Sequence, residues 1–168
     1  VGNVTGTTGT ANTLEPKASY RVYVLERGAD ASAASSGTLI TLDTADAASR
    51  FAVNDWIQVG SGTGTIRQVT AVGGNSISVN TAATVVLNDR IFIVGTTQPT
   101  VSGGSATYTP STTIYQRDDD AATPVTNSML TTDSNGEYRV NAAQGIYDLL
   151  EQDSRSANVG FLADVPIG

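Results

Sequence analysis

Short runs of alternating apolar and polar residues, separated by turn-forming residues, recur along the chain. Ile66–Val72, for example, is followed by Gly73-Gly74-Asn75 and then by Ser76–Val79. Alternation with a period of two places apolar side chains on one face of a strand, and Gly and Asn accept the positive φ of tight turns. Because Thr, Ser, Gly and Val are abundant and strong helix formers are few, the sequence predicts an all-β fold.

Five such segments indicate a small β-barrel or β-sandwich module at 36–99. They lie at 38–42, 56–60, 66–72, 76–79 and 91–94, and 46–51 is predicted to form one helical turn. The pattern apolar-Asn-Asp-x-Ile occurs at 53–57 and again at 87–91. Asn-Asp before a strand is turn chemistry, so we interpret the two copies as similar strand entries of one module.

A second module is predicted from the residues that flank the first. The alternation at 20–25 places Val22 and Val24 on one face of a strand and Tyr23 and Leu25 on the other. Such a strand needs a sheet, whereas 96–105 is typical of a linker. We therefore expect 17–35 and 100–168 to form a β-sandwich into which 36–99 is inserted. The segment 154–168 is predicted to contain a last strand, which Pro166 confines to a sheet edge.

The stretch 124–150 has the strongest turn signals of the second module. Asp133-Ser134-Asn135-Gly136 supplies the residues that a tight turn needs, and we expect Gly136 to adopt a positive φ there. Apolar residues alternate in the segment that follows, and Gln144-Gly145 makes a second turn. These features predict an antiparallel hairpin.

The same residues carry a family resemblance. Four segments occur in a characteristic order: Thr113-Ile114-Tyr115, the polar loop 117–120, the turn 131–136 and Gly145-Ile146-Tyr147-Asp148. This order resembles modules related to carboxypeptidase regulatory domains, especially those of tailed-bacteriophage virion proteins. The resemblance covers about 107–153 and implies a non-enzymatic structural protein located in a virion. Tail fibre or appendage attachment and capsid decoration fit equally, with other virion proteins as partners and a homo-oligomer, a trimer being favoured. The alternative function is a host-glycan-binding adhesin.

Residues 1–16 form a Gly/Thr-rich arm with few apolar anchors. Two interpretations stay open: a flexible arm, or an arm that becomes ordered on a neighbouring subunit by adding a strand to the edge of its sheet. The chain begins at Val1 rather than Met, so we expect a processed form or a piece of a longer protein.

The charge distribution argues against two classes of partner. The formal net charge is −7, Lys17 is the one lysine, and the arginines are scattered. Without a basic stripe, we expect no binding to nucleic acid and none to an anionic membrane surface. No apolar run approaches the roughly 20 residues of a membrane-spanning helix.

The absence of His and Cys limits the available chemistry. It excludes Ser-His-Asp and Cys-His catalysis and any zinc site built from those ligands. Asp118, Asp119 and Asp120 are adjacent in a predicted loop, where clustered carboxylates suit Ca²⁺. A calcium site from Asp118, Asp120 and Asp133 is therefore one hypothesis, and a solvated loop is the other. We expect no further cofactor and no enzymatic activity.

Aromatic residues are few, and two of them lie at predicted strand positions. Trp56 and Tyr115 are predicted to be core residues. The alternative is a stacking platform for the sugar rings of a host glycan.

Overall fold

The computed structural model describes residues 2–7, 20–60, 65–102, 105–115, 123–133, 137–153 and 158–168, with backbone alone at 2–7 and 158–159. Within these ranges the chain is almost entirely β, as predicted. The strands are β1 (Gly2–Thr7), β2 (Arg21–Asp30), β3 (Leu39–Thr41), β4 (Trp56–Val59), β5 (Ile66–Val72), β6 (Ser76–Val79), β7 (Arg90–Gly95), β8 (Thr100–Ser102), β9 (Ser105–Thr107), β10 (Met129–Thr131), β11 (Glu137–Ala142), β12 (Gly145–Gln152) and β13 (Asn158–Ile167).

Helical structure in the described ranges is limited to two short elements. One is the predicted turn, α1 (Ala47–Arg50), and the other is a 3₁₀ turn at Thr126–Ser128. Neither of these helices is long or apolar enough to cross a membrane.

One antiparallel sheet of nine strands runs through the molecule. Its order is β13-β12-β2-β7-β4-β5-β6-β3. β2 is the central strand, because it pairs with β12 along one edge and with both β7 and β10 along the other. The predicted sandwich strand β2 and the predicted inserted strands thus share a single hydrogen-bonded ladder, while the exact module borders stay a prediction.

The ladder remains open. β3 is its last strand, and the segment after β3 meets the end of β2 at a single bridge between Ala31 and Leu42. The Ser32 N–H donates to the Thr41 carbonyl (2.9 Å), and the Asp43 N–H donates to the Asp30 carbonyl (2.9 Å). The barrel predicted for 36–99 is therefore wrong as a closed structure. β3 pairs over three residues with β6, which leaves too short a ladder to seal against β2.

β11 lies in a second layer. It pairs with β1 along its whole length, and residues 114–115 approach it from the other side through the Ile114–Ala142 bridge. Between this layer and the main sheet lies a buried core that includes Val22, Val24, Tyr138 and Val140. This packing of two layers is the predicted sandwich.

The predicted hairpin around residues 133–136 is wrong. β10 pairs with β2 in the main sheet, whereas β11 pairs with β1 in the second layer. The turn at Gln144 likewise leads from β11 into β12 of the main sheet. Both turns therefore carry the chain between layers. Alternation identified the strands but not their partners, because a strand can satisfy its backbone groups on any available edge. Gly136 lies outside the described residues.

The two faces of β2 carry the residues that its alternation assigned to them, and both faces are buried. Val22 and Val24 point into the sandwich core, while Tyr23 and Leu25 point into a core on the opposite face. There the rings of Tyr23 and Tyr108 pack edge to face with centroids 5.1 Å apart. A third core fills the predicted 36–99 module; it consists of Ala29, Ala31, Ile40, Leu42, Ala47, Phe51, Ile57, Val59, Val69, Ile77, Val79, Ala83, Val85, Ile91 and Ile93.

The first copy of the Asn-Asp repeat forms a tight turn before β4. Asn54 has a φ of 79°, in the left-handed region that Asn tolerates better than most residues. The Asp55 N–H donates to the Ala52 carbonyl (3.1 Å), and the Ala52 N–H donates to Asp55 Oδ2 (2.7 Å). Both residues then bond to Val69 of β5: the Asn54 N–H donates to its carbonyl (2.9 Å), and the Asp55 carbonyl accepts from its N–H (2.8 Å).

The second copy repeats this geometry before β7. Asn88 has a φ of 67°, the Asp89 N–H donates to the Val86 carbonyl (3.1 Å), and the Val86 N–H donates to Asp89 Oδ2 (2.7 Å). Ala31 after β2 takes the place of Val69, since it accepts from the Asn88 N–H and donates to the Asp89 carbonyl, both at 2.8 Å. The predicted pair of equivalent strand entries is confirmed.

Candidate functional site

The N-terminal strand occupies an edge of the second layer. β1 runs antiparallel to β11 in an unbroken register from Gly2 opposite Ala142 to Thr7 opposite Glu137. Residues 2–7 are ordered as a strand in this structure of a single chain, so the expectation of a mobile arm is wrong for them, while attachment to a neighbour stays a prediction. The physical reason is that β11 of the same chain offers an unpaired edge, which is the kind of acceptor expected of a neighbour. Residues 8–19 lie outside the described part.

The inner face of β11 is fixed by burial. Tyr138, Val140 and Ala142 have at most 5% of their surface exposed and belong to the sandwich core. Burial raises the pKa of the Tyr138 phenol to about 12, and the charge of Glu151 adds to this effect. The acceptor strand is thus held in place by its side chains, while its backbone edge is free to pair with β1.

β13 forms an outer edge of the main sheet. Among the described residues it pairs only with β12, as predicted for a last strand. Phe161 and Leu162 are 42% and 45% exposed, although the Phe161 ring also contacts Phe92 edge to face at 5.1 Å. Farther along, Asp164 has a φ of 54° at a register shift, and Pro166 lacks an N–H donor. Both features limit pairing by this edge at its C-terminal half.

A buried ion pair joins β7 to β12. Arg90 Nε donates to Asp148 Oδ2 (3.0 Å), and its Nη2 donates to Oδ1 (2.7 Å). Arg90 is 3% exposed and Asp148 is fully buried. Asp148 also accepts from the Gly28 N–H (3.0 Å) and the Asp164 N–H (3.1 Å). Asp30 Oδ1 lies 3.2 Å from Arg90 Nη1. The hydrogen-bond partners of the buried pair thus come from several strands, as such a pair requires.

The network extends to the surface through Asp164. Its Oδ1 accepts from Arg27 Nε (2.6 Å) and from Arg90 Nη2 (3.2 Å). Partial burial alone would raise the pKa of Asp164, but the hydrogen bonds from the two arginines outweigh this and lower it. Burial would likewise lower the pKa of Arg90, but its bonds to Asp148, Asp30 and Asp164 raise it, so Arg90 stays charged.

An open groove of about 530 Å³ lies beside this network. It combines two acidic and two basic side chains with an aromatic ring, and it is lined by Glu26, Arg27, Asp46, Ser49, Arg50, Gly145, Ile146 and Tyr147. Arg50 is anchored by a bond from Nη1 to the Gly28 carbonyl (2.9 Å), and the Tyr147 hydroxyl donates to the Ala143 carbonyl (3.0 Å). Burial, with the charge of Asp55, raises the pKa of Glu26. The formal charges of the groove lining balance.

The residues predicted to bind calcium are not brought together by the described structure. Asp118 and Asp120 lie outside the described residues. Asp133 is exposed, and its Oδ1 accepts a hydrogen bond from the Glu137 N–H (2.9 Å). This bond is typical of an Asp residue that stabilises a turn. No group of three acidic side chains able to hold a metal occurs in the described ranges. The calcium hypothesis stays a prediction.

The two aromatic residues that were predicted as core are only partly buried. Trp56 packs against the core around Tyr23 and Tyr108. Tyr115 pairs through its backbone with Pro124. Neither lines the groove described above, where Tyr147 supplies the aromatic ring.

Sequence reasoning did not identify the Arg90–Asp148 pair. One signal was available: the two copies of the repeat differ at one interior position, where Trp56 in the first copy corresponds to Arg90 in the second. A cation that starts an otherwise apolar strand needs a buried acidic partner. Its identity was not predictable, since Asp148 follows in a distant segment.

Comparison with known proteins places the chain in no family. No family model matches it, no curated protein sequence matches it, and no solved structure matches it.

Proposed function

We propose that this protein is a non-enzymatic structural component of a tailed-phage particle, acting as a fibre or appendage attachment protein or as a capsid decoration protein. It attaches to other virion proteins through its N-terminal arm. The observation that carries the proposal is the pairing of β1 with β11, because it supports the arm's capacity to bind as an added strand. The resemblance at 107–153 supports the assignment to a virion.

Strand addition suits a structural role in a repeated assembly. Backbone hydrogen bonds supply its affinity, and these are weak singly because ordering an arm costs about 1–2 kcal/mol of backbone entropy per residue. Many copies in one particle offset this cost through multivalency. The exposed Phe161 and Leu162 on the β13 edge add apolar surface for a neighbour.

Deletion of residues 1–16 tests this function. The main sheet is built without β1, and the described residues of the three cores lie outside the arm. We expect the truncated protein to fold and to be lost from purified particles, as measured by antibody labelling of particles assembled with full-length or truncated protein. Normal incorporation of the truncated protein, or the absence of the full-length protein from particles, would contradict the proposal.

The groove beside Tyr147 favours a second candidate function, a host-glycan-binding adhesin. Sugar rings stack on exposed aromatic faces, and their hydroxyls bond to paired acidic and basic groups such as Asp46 and Arg50. Calorimetric titration with a bacterial surface polysaccharide tests it. Binding that is weakened at least tenfold by Tyr147→Ala but unchanged by Val53→Ala, an exposed residue outside the groove, would support the adhesin.

A further inference from the structure

We propose that β11 is the docking site for β1 of a second copy of this chain, so that neighbouring copies are joined by exchange of their N-terminal strands. This inference rests on the proposed structural function and assigns its arm a partner. The partner is a second copy because the chain's own β1 already shows that its sequence fits the β11 edge in register.

The β11 edge requires a strand. Its inner side chains are locked in the sandwich core, so the strand cannot rotate to hide its backbone. On one side, the Tyr115 N–H donates to the Asn141 carbonyl (2.8 Å). On the other side, β1 covers all six residues of β11. Without β1 this side presents unpaired N–H and C=O groups, which bind any strand of suitable register.

β1 pairs with β11 through six consecutive residues. Its sequence, Gly-Asn-Val-Thr-Gly-Thr, contains Val4 as the one aliphatic residue, opposite Val140. The same six residue pairs can form on the strand's own chain and on another copy. The two arrangements therefore have nearly equal contact energy and differ in local concentration, which is the condition for strand exchange.

The chain between β1 and β2 sets how far β1 can reach. Residues 8–19 separate β1 from Tyr20 and, fully extended, span about 40 Å. Exchange in one direction from copy to copy is a head-to-tail contact, which closes into a ring when the rotation allows it. A cyclic trimer is one such ring, and exchange gives it three strand contacts without any change in the fold.

The absence of cysteine from the sequence makes the pairing directly measurable. Thr5 lies opposite Arg139, so Thr5→Cys and Arg139→Cys place one thiol on each strand. The two single variants of the full chain, carrying tags of different size, are unfolded together, refolded and oxidised. Non-reducing electrophoresis then detects a mixed disulfide dimer. The matched control replaces Arg139→Cys by Thr70→Cys, an exposed position on β5.

Strand exchange predicts a mixed dimer from Thr5→Cys with Arg139→Cys at least fivefold above that with Thr70→Cys. The double variant Thr5→Cys/Arg139→Cys reports pairing within one chain. A disulfide confined to monomers of the double variant, with no mixed dimer from the single variants, would overturn exchange. Absence of any disulfide would overturn it too, because β1 would then not occupy β11. Either result leaves the particle-labelling outcome of the proposed function unaffected.

Discussion

Arg90 and Asp148 form an ion pair with two hydrogen bonds in the protein interior, with N–O distances of 2.7 and 3.0 Å. The pair links β7 to β12. The pair lies where β7, β2, β12 and β13 meet. It therefore fixes the relation between the sandwich and the rest of the main sheet.

Asp148→Ala should lower the free energy of unfolding by about 3–5 kcal/mol, because it leaves the charge of Arg90 buried without its main partner. Asp30→Ala is the control: its side chain is 42% exposed, and its loss should cost about 0–1 kcal/mol. Urea unfolding of both variants provides the measurement. Equal losses of unfolding free energy for the two variants would show that burial of the ion pair does not determine its contribution to stability.

Gly28→Ala should destabilise the protein by about 1–3 kcal/mol through overpacking. A Cβ at Gly28 would lie 2.0 Å from the Ile91 carbonyl oxygen and 3.1 Å from Asp148 Oδ2, so β2 and β7 would have to separate at their register shift. Gly37→Ala, which meets no atom within 4 Å, is the matched control. The idea fails if the two variants melt at the same temperature.

Asn54→Ala and Asn88→Ala should each cost about 1–2 kcal/mol, since Ala is disfavoured at the positive φ that both positions adopt. Asn54→Gly and Asn88→Gly should retain most of the stability, because Gly accepts this conformation. Chemical denaturation of the four variants tests both statements. A loss at only one of the two positions would contradict the equivalence of the turns.

Asp164→Asn should reduce stability at neutral pH and lose its effect in acid. The pKa of Asp164 is lowered from its ordinary value of 3.8, so its ionised form favours the folded state. This contribution is present above pH 3.8 and disappears as the pH falls through the lowered pKa. Asn also tolerates the φ of 54° at this position. Unfolding free energies from pH 7 down to about pH 2 should converge for the two proteins, and a constant difference would refute the role of charge.

The sequence by itself determined the class of fold and its local turns. Alternation placed β2 with Val22 and Val24 on one face and Tyr23 and Leu25 on the other, because side chains of a strand alternate whatever it pairs with. The Asn-Asp repeat predicted two equivalent turns, since a positive φ and a carboxylate that caps the turn are local requirements. These features depend on residues only a few positions apart.

Only the tertiary structure decided which edges pair and which charges meet. The segments on either side of residues 133–136 looked like a hairpin, yet β10 pairs with β2 and β11 pairs with β1, because backbone groups are the same on every strand. For the same reason, the sequence did not indicate that β11 is the strand with which the N-terminal arm pairs. The partner of Arg90 was also not predictable from the sequence. A buried charge requires a partner of opposite charge, but no residue near Arg90 in sequence identifies Asp148 as that partner.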